Sequence, residues 1–253
     1  MFHVDPKKKV AKTRLDRLLV ARGLAETERH AQAMVMAGEI RVDEQLATKP
    51  GAMCSWDVRI EFAGRRQRYV SRAGLKLEGA LEEFGVNPKN RVCLDVGAST
   101  GGFTDCLLQR GAQRVYSVDV NTAQLDWRLQ GEERVVAVKK NARYLRPNDI
   151  PEAVDLVTVD VSFISVSKIL PAITSVAQRG AIFLILIKPQ FELEKRFVEK
   201  GGVVTDPALH ERAIACVRTA AQLAGLEILG VKPSRLAGAE GNQEFFLGAR
   251  RTG

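Results

Sequence analysis

From Val92 onward the sequence alternates between short β-branched or apolar runs and segments of helical period. The runs are Val92–Val96, Arg114–Val118, Val135–Val138, Leu156–Val159 and Ala181–Ile187, with two later ones at Glu227–Val231 and Glu244–Ala249. Helical segments fall near Gln124–Leu129, Val166–Ala177 and Pro207–Ala224, and a helix through Leu107 and Leu108 follows the first run. Such alternation predicts an α/β domain, an open and mostly parallel sheet with helices on both faces. Ligands of these sheets bind beyond the carboxyl ends of the strands, so the search for chemistry narrows to the residue at or just after each strand. The longest apolar stretch, Ala181–Ile187, is far short of the roughly 20 residues of a spanning helix.

The first run leads into Leu94-Asp-Val-Gly-Ala-Ser-Thr-Gly-Gly-Phe103, in which a carboxylate, Asp95, precedes a turn of small residues and a helix start. Gly97, Gly101 and Gly102 let backbone approach a ligand, and the helix N-terminus offers unpaired N–H groups. A dinucleotide fingerprint would need glycine where Ser99 stands. A hydrolase nucleophile elbow matches Gly97, Ser99 and Gly101 literally but needs a later Asp and His, and His210 is the only downstream histidine. The loop strongly resembles motif I of S-adenosylmethionine-dependent methyltransferases. That resemblance implies that Asp95, Gly97, Ser99, Gly101, Gly102 and Phe103 hold the amino-acid end of the cofactor. Asp119, after the second run, is an acceptor-only carboxylate suited to two ribose hydroxyls. Asn141, past the third run, stands where this family commonly reads the adenine edge, and Asp160 lies beside the cofactor.

Charge is uneven along the chain. Of a net +8, residues 1–70 contribute 14 Lys+Arg against 9 Asp+Glu, as expected of a small N-terminal module that faces a polyanion. In it Leu15, Leu18, Leu19 and Ala21 form a short helix that Gly23 stops. Thr27 can N-cap a second helix running to Gly38, and β-like runs follow at Ile40–Val42, around Ala47 and at Val58–Phe62. The stretches Arg14-Leu-Asp-Arg-Leu-Leu-Val and Met36-Ala-Gly-Glu-Ile-Arg-Val-Asp resemble an S4 RNA-binding domain, a small α+β fold. The resemblance implies RNA contacts from Arg14, Arg17, Arg29 and Arg41, with Lys49 nearby. The expected organisation is a flexible basic N-terminus (1–12), an S4-like domain (13–64), a linker (65–70) and a methyltransferase domain (71–253).

Asp160 ends the fourth run, inside Val159-Asp-Val-Ser-Phe-Ile-Ser165. Enzymes that methylate exocyclic amines usually carry Asn/Asp-Pro-Pro-Tyr/Phe there, and the missing Pro-Pro argues against a base nitrogen as acceptor. Lys188 ends the fifth run after consecutive apolar residues, where lost solvation and a cationic neighbour, Lys76, favour the neutral, basic amine. Asp160 and Glu244 can orient the two lysines. Together with these motifs, Ser71-Arg-Ala-Gly-Leu-Lys76-Leu, Ile187-Lys-Pro-Gln-Phe-Glu192 and Gly241-Asn-Gln-Glu-Phe-Phe246 resemble the TlyA/hemolysin A family over nearly the whole chain. That family joins an S4 domain to an FtsJ-like (RrmJ-type), Rossmann-like class I methyltransferase domain. The resemblance implies 2′-O-methylation of ribosomal RNA, at cytidine, with S-adenosylmethionine, by a Lys-Asp-Lys-Glu tetrad that carries onto Lys76, Asp160, Lys188 and Glu244. In that scheme Lys188 is the base, Asp160 orients it, Lys76 steadies developing negative charge and Glu244 fixes the acceptor ribose.

Some family members have a Trp-containing tetrapeptide between the domains; the corresponding Arg68-Tyr-Val-Ser71 has Tyr69 instead. The segment 190–205, with Gly201-Gly202 near its end, is expected as a substrate flap or a disordered surface loop. Four scattered cysteines, no signal-peptide pattern and no metal-ligand spacing fit a reduced, cytoplasmic protein without a resident metal. Ribosomal RNA or ribosomal subunits are the expected partners. A non-catalytic assembly factor and, on the hemolysin name alone, a membrane-active toxin are the other readings.

Overall fold

The computed structural model describes residues 12–25, 27–63, 68–199, 201–238 and 240–253. The chain forms two compact units, Met1–Arg66 and Gln67–Gly253.

The first unit runs β1 (Lys12–Arg14), α1 (Leu15–Ala21), α2 (Glu28–Met36), β2 (Ile40–Val42), β3 (Gln45–Leu46), β4 (Met53–Ser55) and β5 (Ile60–Phe62). Thr27 caps α2 as its spacing predicts, its side chain accepting the His30 N–H at 3.1 Å. Apolar faces of the two helices close over Ile40, Cys54 and Val58. Asp16 is buried inside this unit, yet it accepts from Arg14 Nε (3.0 Å) and Nη2 (2.6 Å), Gln32 Nε2 (3.0 Å) and its neighbour's backbone N–H. Those donors, Arg14 foremost, hold its carboxyl down at about 2. Sequence pattern missed β1 and β4, in which polar residues (Lys12, Thr13, Arg14, Ser55) leave no apolar run to detect.

The second unit runs α3 (Ala73–Glu83), β6 (Val92–Val96), α4 (Gly102–Gln109), β7 (Arg114–Asp119), α5 (Trp127–Gln130), β8 (Val135–Lys139), β9 (Val154–Val159), α6 (Leu170–Val176), β10 (Ala177–Ile187), α7 (Pro189–Glu192), α8 (Pro207–Leu223), β11 (Leu226–Pro233) and β12 (Phe245–Arg251). Its seven-stranded sheet has the order β11-β12-β10-β9-β6-β7-β8. Every neighbouring pair from β10 to β8 is parallel, and β12 is antiparallel to both of its neighbours. One face packs on α6 and α8, the other on α3 and α4. A sheet covered on both faces explains why β6 and β9 are mostly apolar and nearly all buried.

Three expectations shift. The helix expected at Gln124–Leu129 is only the single turn of α5, because Asp126 accepts the Arg128 N–H (3.0 Å) and starts a helix there. The one expected at Val166–Ala177 breaks at Ile169, with Pro171 in the first turn of α6. Expected linker residues 65–67 and N-terminal residues 1–11 lie outside the described residues. Arg68–Val70 packs within the second unit: Tyr69 is buried, and the Val70 N–H donates to Asp105 Oδ2 at 2.8 Å.

Candidate active site

Parallel pairing of β6 with β9 brings their carboxyl ends side by side, and the Asp160 N–H donates to the Val96 carbonyl at 2.9 Å. The next residue, Gly97, has φ +84°, and a Cβ there would lie 2.3 Å from the Asp160 carbonyl oxygen. Gly101 (φ +94°) would clash with Leu129 at 2.3 Å, and Gly102 with Ser71 Oγ at 2.2 Å. Packing therefore requires glycine at all three positions, and Gly97 also borders the open cleft described below.

Asp95 is completely buried and accepts from Thr104 Oγ1 (2.7 Å) and Thr158 Oγ1 (3.2 Å), so it braces the loop from beneath. Phe103 points into the core, its ring 6.2 Å from that of Phe246. Ser99, in the left-handed region at φ +49°, donates its N–H to Asp119 Oδ2 (2.9 Å), while Asp119 Oδ1 accepts from Asn121 N (2.9 Å). The side-chain oxygen of Asn141 caps the following turn by accepting the Arg143 N–H at 3.0 Å. A cleft of about 480 Å³ opens over this strand end, lined in part by Gly97, Ser99, Asp119, Asn141, Asp160 and Phe163. Asp95, Gly101, Gly102 and Phe103 do not line it.

Burial pushes the Asp95 carboxyl up to about 7, the nearby Asp160 carboxylate adding to the rise against the hydroxyl donors. A folded pKa above the unfolded value contributes stability at low pH that is lost as pH rises, here between about 4 and about 7. Asp95→Asn, which mimics the neutral form, is expected to gain stability relative to the parent across that window. Melting temperatures of both proteins at pH 5 and pH 8 check it: the gap should widen toward pH 8, and a constant gap refutes the assignment.

The four tetrad residues form two ion pairs. Lys188 follows β10 and Asp160 follows its parallel neighbour β9, and Lys188 Nζ stands 2.5 Å from Asp160 Oδ1 and donates to Ser162 Oγ at 2.9 Å. Lys76, on α3, reaches Glu244 Oε2 at 2.6 Å, and these side chains are only 12% and 2% exposed. Ile187 pairs with Phe245 across β10 and β12, so the antiparallel register continues to place Glu244 opposite Lys188. Glu244 is thus paired with Lys76 and closed to solvent in this structure.

Sequence reasoning missed three residues. Phe163 is 92% exposed, has φ +65° and lies 5.2 Å from the Phe191 ring; its only signal was an aromatic side chain in a segment that leaves the sheet. Glu192 accepts from Ser165 Oγ (2.6 Å) and the Val166 N–H (2.8 Å), and burial raises its carboxyl. Asn242 accepts the Val204 N–H and donates to the Gly202 carbonyl, both at 2.8 Å. Glu192 and Asn242 tie down both ends of the segment expected as a flap or disordered loop.

The proposed RNA contacts are spread through the first unit. Only Arg17 and Arg29 lie on its helices; Arg14 is on β1, Arg41 on β2 and Lys49 in the turn before β4. Arg17, Arg29, Arg41 and Lys49 are exposed, whereas the Arg14 guanidinium is bound to Asp16.

The sequence matches the FtsJ-like methyltransferase family over residues 69–251 and the S4 domain over residues 13–55. It is 45% identical over 241 residues to the 16S/23S rRNA (cytidine-2′-O)-methyltransferase TlyA of Mycobacterium tuberculosis, covering 94% of this chain and 90% of that one. It is 38% identical to Hemolysin A of Brachyspira hyodysenteriae, covering 92% and 98%. A solved hemolysin-type chain of Streptococcus thermophilus superposes with a TM-score of 0.73 at 38% identity, covering 96% and 90%. With both modules matched and these relatives aligned along almost its full length, the chain belongs to the TlyA/hemolysin A group of FtsJ-like methyltransferases.

Proposed function

We propose that the protein methylates the 2′-hydroxyl of a cytidine in ribosomal RNA with S-adenosylmethionine, on free RNA or ribosomal subunits in the cytoplasm. The observation that carries this reading is the Lys188–Asp160 pair at adjoining strand tips, one member of which lines the cleft. The cleft is within the usual size range for a cofactor site. Its donors and acceptors suit the cofactor: the Asp119 carboxylate for ribose hydroxyls and the Asn141 amide nitrogen for the adenine. When bound, S-adenosylmethionine supplies a methyl group on a sulfonium.

A ribose 2′-hydroxyl is protonated in water, so the site must take its proton. Asp160 and Ser162 hold the Lys188 amine in place, and the neutral amine accepts that proton. Lys76, held by Glu244, keeps positive charge at the same strand end, where negative charge develops on oxygen. Labelled cofactor incubated with ribosomal subunits, followed by nucleoside analysis, tests the reading: label in 2′-O-methylcytidine is expected, and label on a base overturns it. Among the described residues no helix is long and apolar enough to cross a membrane. A liposome-leakage assay on the same preparation tests the activity suggested by the hemolysin names.

Phe163 offers an exposed ring at the mouth of the cleft, suited to stacking the base of the acceptor nucleotide once it leaves its helix. Phe163→Ala is expected to raise KM for RNA about 10- to 100-fold, a base stack being worth roughly 1–3 kcal/mol. Phe163→Tyr should keep most of the affinity. An unchanged KM in Phe163→Ala removes the stacking role.

A further inference from the structure

We propose that the β1–β4 ribbon of the first unit, with the turn after it, is a stacking platform for an unpaired RNA nucleotide, centred on Trp56. The proposal rests on the RNA-methylating reading and names a contact beyond the basic residues already assigned to RNA. In the antiparallel register Lys12 faces Ser55, Thr13 faces Cys54 and Arg14 faces Met53. Directly opposed residues share a face of the ribbon. Cys54 is buried in the core, so Lys12, Arg14, Met53 and Ser55 share the outer face. Met53 is 59% exposed there, and the Arg14 guanidinium lies against Gly51, two residues beyond the exposed Lys49.

The ribbon leads directly into Trp56, which is 51% exposed on a fixed turn. Val58 N donates to the Ser55 carbonyl at 3.3 Å, and the Arg22 guanidinium donates to the carbonyls of Trp56 and, at 2.7 Å, Val58. The acidic side chain of the turn, Asp57, is folded back onto Ser55 Oγ. An exposed indole on a rigid turn is left unshielded in water, and Lys12, opposite Ser55 in the ribbon, puts an exposed cation next to the turn that carries it. Aromatic faces beside phosphate-binding cations are how proteins hold splayed-out nucleotides, since every base has a face to stack. A protein partner would leave the Lys12 ammonium without a stated counterpart, whereas a polynucleotide satisfies cation and indole together.

Trp127→Phe leaves Trp56 as the only indole, since the chain has two tryptophans. In that variant, fluorescence should be quenched by single-stranded oligouridylate and much less by a blunt RNA duplex. Trp56→Ala, compared by melting temperature to check folding, should weaken binding to the single strand and raise KM for ribosomal subunits, each about 10- to 100-fold. It should leave kcat and the salt dependence of binding unchanged. Lys12→Gln should lower the salt slope by about one and spare the quenching. RNA binding and methyl transfer that persist unaltered in Trp56→Ala overturn the platform alone. Weakened binding to intact subunits with unchanged affinity for free RNA also overturns it, in favour of a ribosomal protein contact. Failure of the parent protein to bind any RNA overturns both the platform and the reading it rests on.

Discussion

Lys188→Ala is expected to lower kcat for methyl transfer about 100- to 10,000-fold, the usual contribution of a positioned general base. Affinity for S-adenosylmethionine should stay close to that of the parent, because Lys188 is not among the residues that line the cleft. Lys188→Arg separates two roles that alanine cannot. A guanidinium keeps the charge and the reach toward Asp160 but cannot give up its proton, so it fails as a base. If Lys188 is the base, the arginine variant is as inactive as the alanine one. Substantial activity in Lys188→Arg would show that only the positive charge matters. Calorimetric titration with the cofactor, run on the same variants, checks that the loss lies in chemistry and not in binding.

The strand ends were legible because a parallel sheet covered on both faces favours near-continuous apolar runs, and the residues just past those runs must gather at one edge of it. Asp119, Asn141, Asp160 and Lys188 were located in this way. Helix α3 was not legible. Its interior carries Gly74 and Gly79, which lower helix propensity, yet a Cβ at either would strike the Tyr69 ring or the Arg235 side chain. The pairing of Lys76 with Glu244 joins residues 168 positions apart in sequence, and no local pattern records it. The glycines of the first loop were legible by position, but the Leu129, Ser71 and Asp160 atoms that pack against them come from distant segments that no local pattern records. Phe163 escaped because exposure and a positive φ are properties of the folded turn, not of composition.

Glu244→Ala is expected to destabilise the second unit by about 3–5 kcal/mol, since it leaves the nearly enclosed Lys76 ammonium without its partner. Lys76→Met alone should cost a comparable amount, stranding the carboxylate of Glu244 among buried neighbours. The double variant Lys76→Met with Glu244→Leu distinguishes structure from function, because replacing both members of a buried pair by apolar groups of similar size is often nearly neutral. If the pair exists to keep a positive charge at the strand end beside Lys188, the double variant should regain most of the melting temperature and almost none of the methyl transfer. Denaturant melts and single-turnover transfer assays on the four proteins of this cycle provide both readouts. Recovery of activity along with stability would mean that Lys76 and Glu244 serve the fold alone. Stability without activity would place them with Lys188 and Asp160 as a four-residue unit, whose single substitutions should then be far from additive in rate.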